Sequence, residues 1–350
     1  MTNKELPICY PPISSYPQHA YYLSIMCNNE DCLSWIYCNY IHIFLMDLET
    51  SVFMDYFVST PEHHFHPWFK ASQRLSRDLI LSSIPNFIKF FQEQIELGYY
   101  IWLHIDEFYI SCSAAYQKQS HPHACLLYGF DDKKENFNIA GFFKNGKYSM
   151  STVSYSEVEQ SFLYCNTNDC DASTEHLKDL HLLKLRPNYH NGQPYQFDME
   201  FIAKQMLEYY ESKNPIHNFR SYYSTNLYHD WTCGLSIYKK LNNCLTLHLD
   251  KKMNIDRRPF YINWEHKKLM LARIEYIRTH NYYDFVPMVY DGYKELERNT
   301  NIILYLFLKY QITQNDSCIY SAKNLLDDVY RTEKQLLEGL LEDFQKKMLL

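Results

Sequence analysis

Apolar residues between positions 31 and 44 fall at helical spacing: Cys32, Leu33, Trp35, Ile36, Tyr40, Ile43 and Phe44 follow Asp31, a good N-cap. Residues 1–20 read as extended, because Pro7, Pro11, Pro12 and Pro17 prevent a helix. A second helical pattern covers 70–97 and should break or kink at Pro85. The period then shortens. Tyr99–Ile110, His121–Asp131 and Asn136–Phe143 read as three successive strands, a β-meander over 99–150. Ser154 with Glu157 three residues on has the spacing of a capping box and opens another helix.

Residues 165–195 are polar and broken, and the chain beyond them turns helical. Asp198 should cap a helix to about Ser212. Further helices are expected near 230–245 and over 260–280, with an apolar segment at 283–312 and a charged amphipathic helix at 321–348. The expected organisation is an α+β domain over 1–165, a linker over 166–195 and a helical domain over 196–350.

Composition narrows the classes. Among 350 residues, 46% hydrophobic and 17% aromatic content with only 8 glycines excludes a disordered or low-complexity chain. A net charge of −7 argues against a protein whose main task is gripping nucleic acid. Eleven cysteines, an odd number without the regular spacing of a disulfide framework, fit a reducing compartment. The opening Met-Thr-Asn-Lys-Glu-Leu-Pro lacks an apolar signal core, and no stretch approaches the ~18–20 apolar residues that span a bilayer. A cytoplasmic protein with no membrane partner is expected.

Two positions carry candidate chemistry. Cys32 follows its cap directly, so it sits in the first helical turn, where the positive end of the helix favours thiolate. The alternative thiols are Cys27, before the cap, and Cys38, deeper in the helix; the bland reading is a cysteine that merely packs. His123 stands at the mouth of the apolar run Ala124–Tyr128, where an ordinary buried strand avoids imidazole. His121 is its competitor on the same face, although Pro122 assigns His121 to the entering turn. A silent, hydrogen-bonded histidine is the plain alternative for either.

Weaker patterns carry less. Glu62-His-His-Phe-His66 lacks the i, i+4 spacing of a helical zinc motif, and Cys165-x4-Cys170 lacks a second pair, so no metal is expected. Glu265-His-Lys267 reads as a structural polar network. Lys239-Lys240, Lys251-Lys252, Arg257-Arg258 and Lys267-Lys268 give either a solvated helix surface or a dock for an acidic partner. Neither phosphate-binding glycine motif is present, so nucleotide binding lacks support.

His123-x5-Gly129-Phe-Asp131, followed by a strand and Gly146-Lys-Tyr148, resembles the cysteine-peptidase fold of bacteriocin-processing enzymes. It resembles more closely the N-terminal domain of the butirosin-biosynthesis acyltransferase family, and the wider pattern resembles relatives found with nonribosomal peptide synthetase clusters. Ser34-Trp-Ile-Tyr-Cys-Asn-Tyr40, Phe143–Ser149, Cys233–Tyr238, Ile255–Arg258 and Glu265–Arg273 share in it, so it spans much of the chain.

The resemblance implies a papain-like fold and a thiol acyltransferase. An acyl or peptidyl group would pass from a carrier-protein thioester to Cys32 and then to a small amine, with His123 activating the thiol. Phosphopantetheine would enter only as part of the carrier protein, and no cofactor of the chain's own is implied. The family pattern closes its triad with an acid on the strand after the turn, where this chain has Ile139-Ala-Gly141. Glycine cannot orient an imidazole, and Asp106 on the preceding strand is the substitute. Gly141 also supports a second reading, a non-catalytic accessory protein that binds the carrier. Iodoacetamide should label Cys32 first if the thiol reading holds.

Overall fold

Pro85 divides the 70–97 pattern: a helix at Arg77–Ser83 ends before Ile84-Pro-Asn86, and a new one, capped by the Asn86 side chain, runs over Phe87–Glu96. Its front becomes a strand, Gln73–Ser76. The computed structural model describes residues 3–58, 67–69, 72–165, 179–186, 195–219, 230–285 and 287–347. The polar runs Glu62–His66 and Cys170 lie outside them.

The chain folds as α+β with antiparallel sheets. In order, the elements are β1 (Asn3–Glu5), α1 (Pro17–Met26), α2 (Glu30–Asn39), β2 (His42–Leu48), β3 (Ser51–Phe57), β4 (Gln73–Ser76), α3 (Arg77–Ser83), α4 (Phe87–Glu96), β5 (Tyr100–Asp106), β6 (Pro122–Asp131), β7 (Asn136–Lys144), β8 (Lys147–Ser154), α5 (Tyr155–Leu163), β9 (Asp179–Leu183), α6 (Met199–Tyr210), β10 (Thr232–Cys233), α7 (Ser236–Leu249), α8 (Arg258–Thr279), α9 (Pro287–Thr313) and α10 (Ser317–Lys346).

Two compact units emerge, residues 1–33 with 62–195, and residues 34–61 with 196–350. The division at 195/196 is where the composition shifts. Residues 34–61 belong to the second unit, however, and the stretch expected as a linker carries β9, which pairs with both β4 and β5. Leu180, Leu182 and Leu183 are buried there, so this short run behaves as a core strand.

The first unit is built on a seven-stranded sheet with path β4-β9-β5-β6-β7-β8, and β1 pairs with the far end of β6. All seven positions of β5 are buried, which requires cover on both faces. Helix α1 packs on β6 and β7, with the Tyr21 hydroxyl donating to the Ala124 carbonyl and its ring against Trp102 and Phe142. Helices α4 and α5 pack on β5, and Phe87, Phe91 and Phe162 form a ring cluster between them. Ser154 and Glu157 make the reciprocal capping box at the start of α5.

The His-x5-Gly-Phe-Asp spacing has a structural origin at its far end. A Cβ on Gly129 would stand 2.8 Å from the Lys4 carbonyl oxygen and 2.8 Å from the Asn138 amide, so glycine admits β1 and β7 together. Asp131 closes the following turn by accepting from the Lys133 and Lys134 amides at 2.9 and 3.3 Å. Cys9 and Cys27 form a disulfide that ties the N-terminal arm to the end of α1, a pairing the odd count did not suggest.

The second unit has a small sheet, β10-β2-β3, against which α8 packs, and an antiparallel stack of α8, α9 and α10 flanked by α6 and α7. Asp198 caps α6 as expected, accepting from the Phe201 amide. No helix among the described residues is long and apolar enough to cross a membrane.

Candidate functional site

The site grows from the junction of β5 and β6. Antiparallel pairing sets Ile105 opposite His123 and Asp106 opposite Pro122, so the acids that end β5 meet the histidines that begin β6. Asp106 is buried and its oxygens are committed. They accept from the Phe108 amide at 2.9 Å, the His121 amide at 2.8 Å and the Ser120 hydroxyl at 2.6 Å. Its work is to close the turn, and none of these bonds reaches the His123 ring.

That turn rotates the next residue inward. Glu107 is 3% exposed, and its Oε2 accepts from the Ser113 hydroxyl. Its Oε1 lies 3.2 Å from Nδ1 of His123. The two atoms are buried and face one another out of hydrogen-bond alignment, and neither has another hydrogen-bond partner. The rest of His123 is reachable, its side chain being 28% exposed. His121 is exposed and stacks on His123 with ring centroids 5.4 Å apart, while Phe142 meets His123 edge-on at 6.0 Å. Glu107, His121 and His123 therefore bring three donor atoms within 4.8 Å of one another.

The loop that carries Glu107 is held by its backbone. Ser111 donates to Glu157 Oε1 at 2.8 Å, Ala114 to the Phe143 carbonyl at 2.8 Å, and Ser113 Oγ takes the Ala115 amide at 3.0 Å. Burial pushes the Glu157 carboxyl up, but the bonds from Ser111 and Ser154 outweigh it and hold the group below the ordinary range.

Cys32 lies elsewhere. Helix α2 begins at Glu30, and the Asn29 side chain, two residues ahead of the expected cap, accepts from the Asp31 amide. Cys32 is completely buried, and burial, together with Asp31, pushes its thiol up, away from thiolate. Among the described residues it shares no hydrogen bond or ion pair with His123. The helix that packs on β6 and β7 is α1, whose first turn, Pro17-Gln-His-Ala20, has no thiol. Cys125, on the His123 face by strand alternation, is buried, and burial and then Glu107 push its thiol up as well. Cys112 is half-buried, the least enclosed of the described free cysteines.

Gly141 pairs with Cys125, on the same face as His123. A Cβ there would meet the Phe143 ring at 2.7 Å, so an aromatic ring occupies the room an acidic side chain would need. Sequence reasoning missed Glu107 and Ser113. The signal was available: in an antiparallel meander the end of one strand lies beside the start of the next, which sets Asp106-Glu107 against His121-Pro-His123.

In the second unit, Glu265-His-Lys267 is indeed part of a polar network. Lys267 donates to Glu333 Oε1 at 2.5 Å, Tyr209 Oη at 3.1 Å and His266 Nδ1 at 2.9 Å, and all but the tyrosine hydroxyl belong to residues with no exposure. His266 Nε2 meets the Ile41 carbonyl at 2.8 Å. Accepting at one nitrogen and donating from the other makes this imidazole neutral, in line with a pKa lowered by burial and then by Lys267. Separately, His248, Lys251 and Lys252 line a cavity of about 650 Å³ with Asn254 and Tyr310.

No protein-family model matches the chain, and no curated protein matches it.

Proposed function

We propose that the first unit transfers an acyl or peptidyl group from a carrier-protein thioester to a small amine, with His123 as general base and Glu107 orienting it. The observation that carries this reading is the partly exposed imidazole backed by a buried carboxylate at 3.2 Å. The thioester donor, the carrier partner and the papain-like frame rest on the resemblance of His123-x5-Gly-Phe-Asp131 and the motifs around it.

The nucleophile differs from the family's. With Cys32 sealed and its thiol pushed up, the amine attacks the thioester carbonyl directly. The C–N bond forms, the C–S bond breaks, and the amine proton passes through His123 Nε2 to the departing thiolate. Asp106 serves by shaping the turn that presents Glu107. The basic cavity of the second unit is a match for the phosphate of a phosphopantetheine arm. A cytoplasmic setting belongs to the same proposal and rests on the eight free cysteines among the described residues, while the Cys9–Cys27 disulfide is the observation that counts against it.

The second reading is an accessory protein that binds the carrier without chemistry, favoured by the Phe143 ring over Gly141. Incubation with an acyl-carrier thioester and an amine, followed by product analysis and intact mass spectrometry, separates the two. Direct transfer predicts amide product without a protein adduct, a rate unchanged by Cys32→Ala, and a fall of ~10²–10⁴-fold in His123→Ala. In a Cys170→Ser background, iodoacetamide should label Cys112 before Cys32. An acyl adduct on Cys32 would overturn direct transfer. Carrier binding without product, equal in His123→Ala, would establish the accessory reading.

A further inference from the structure

We infer that Glu107, His121 and His123 form a binding site for a first-row divalent metal ion of the zinc class. Glu107 Oε1 and His123 Nδ1 are both buried, both without a hydrogen-bond partner, and 3.2 Å apart. Buried polar atoms are nearly always paired, and this facing pair is satisfied by a proton on Nδ1, as an ion pair, or by a cation that both atoms share. When the His123 proton sits on Nε2, a lone pair and a carboxylate oxygen face each other, an arrangement that a cation relieves.

The spacing suits such an ion. Ligands at ~2.0–2.2 Å from a tetrahedral zinc stand about 3.3–3.5 Å from one another. The Glu107–His123 pair, at 3.2 Å, is within a few tenths of an ångström of that separation. His121 is the outer ligand: its ring is exposed, stacked on His123, and within 4.8 Å by its nearest donor, so a small rotation of χ angles completes the set. Two imidazoles and one carboxylate favour zinc, cobalt or nickel over magnesium or calcium, which take oxygen ligands. Three protein ligands leave the fourth position open to water.

The supporting shell is in place. Ser113 holds the second Glu107 oxygen, and Asp106 holds the His121 backbone amide, so the carboxylate and the backbone that carries the outer ligand are fixed by their neighbours. An ion here takes the Nδ1 lone pair of His123, leaving the proton on Nε2, so the loaded form has no general base at that nitrogen. The site itself stands independently of the acyl-transfer reading, because its test reads metal binding alone.

The experiment is titration of the full chain with zinc against a competing chromophoric chelator. The expected result is one tight equivalent, weakened at least ~100-fold by His121→Ala, since even outer partners of a metal site typically carry ~10–100-fold. His121 is exposed, so that variant should fold, and Glu107→Gln provides the second loss. A His63→Ala/His64→Ala/His66→Ala variant should bind as the parent does. Cobalt(II) substitution should give a visible spectrum without thiolate charge transfer. Zinc binding that survives both His121→Ala and Glu107→Gln, or that disappears in the 63/64/66 variant, overturns the inference, as does the lack of any tight equivalent.

Discussion

Two histidine clusters in this molecule use similar residues to opposite ends. In the second unit, Lys267, Glu333, His266, Tyr209 and Tyr238 are sealed, and their polar atoms point at one another: the ammonium has three acceptors, and Glu333 Oε2 takes the Tyr238 hydroxyl at 2.5 Å. In the first unit, His121 and His123 reach the surface over the buried Glu107, and two buried atoms of the cluster have no hydrogen bond. The closed cluster spends its bonding capacity on the fold. The open one withholds it, and withheld capacity beside solvent is what a ligand or a reacting group requires. Reading both as equally catalytic because both set His beside Glu would miss this.

The sharpest way to break the comparison is Lys267→Met. Burial pushes the Lys267 ammonium down and Glu333 pulls it back, a balance that leaves Glu333 uncompensated once the amine is gone. Removing one partner of a buried ion pair costs about 3–5 kcal/mol. Urea unfolding of the full chain should lose that much, and Lys267→Met/Glu333→Leu should recover most of it. A single-variant cost under about 1 kcal/mol would mean that the network is no structural element.

A smaller effect tests what holds the open cluster in position. Glu157 joins the cap of α5 to the Ser111 end of the loop carrying Glu107. Glu157→Ala should cost about 1–2 kcal/mol, as loss of a cap and its bonds does. Because the folded carboxyl is held below its ordinary value, its contribution is fully present above the unfolded pKa of about 4.3. It is lost as pH falls through the folded value. Parent and variant stabilities, measured by urea melts between pH 7 and pH 3, should therefore converge toward the acid end.

How far the sequence revealed these clusters depends on the range of the interaction. The Pro85 break, the capping box at Ser154 and Glu157 and the Asp198 cap depend on residues within four positions, and periodicity with cap chemistry exposed them. The His123 strand was legible for the same reason. The partner of His123 was not, since Glu107 is sixteen residues away and meets it only through hairpin register, which the resemblance to a Gly141-position acid obscured. Cys32 shows the converse. Its helical turn was readable, but its complete burial depends on tertiary packing that no local pattern encodes. The assignment of residues 34–61 to the second unit is likewise a long-range fact, made by β10 joining β2 across nearly two hundred residues.

The least perturbing change carries the finest distinction. Glu107→Gln keeps the shape of the side chain and an oxygen for the Ser113 hydroxyl, and the amide nitrogen it introduces can donate to the orphan Nδ1 of His123. A structural carboxylate would be missed. One held open for a ligand would not, because the amide satisfies an atom that the native residue leaves bare. Stability should therefore stay within about 1 kcal/mol of the parent, with a gain as acceptable as a loss. Zinc affinity and any His123-dependent transfer should both fall, since an amide neither ligates nor orients an imidazolium as a carboxylate does. A loss of several kcal/mol in the urea melt would move Glu107 to the same class as Glu333 and erase the contrast between the two clusters.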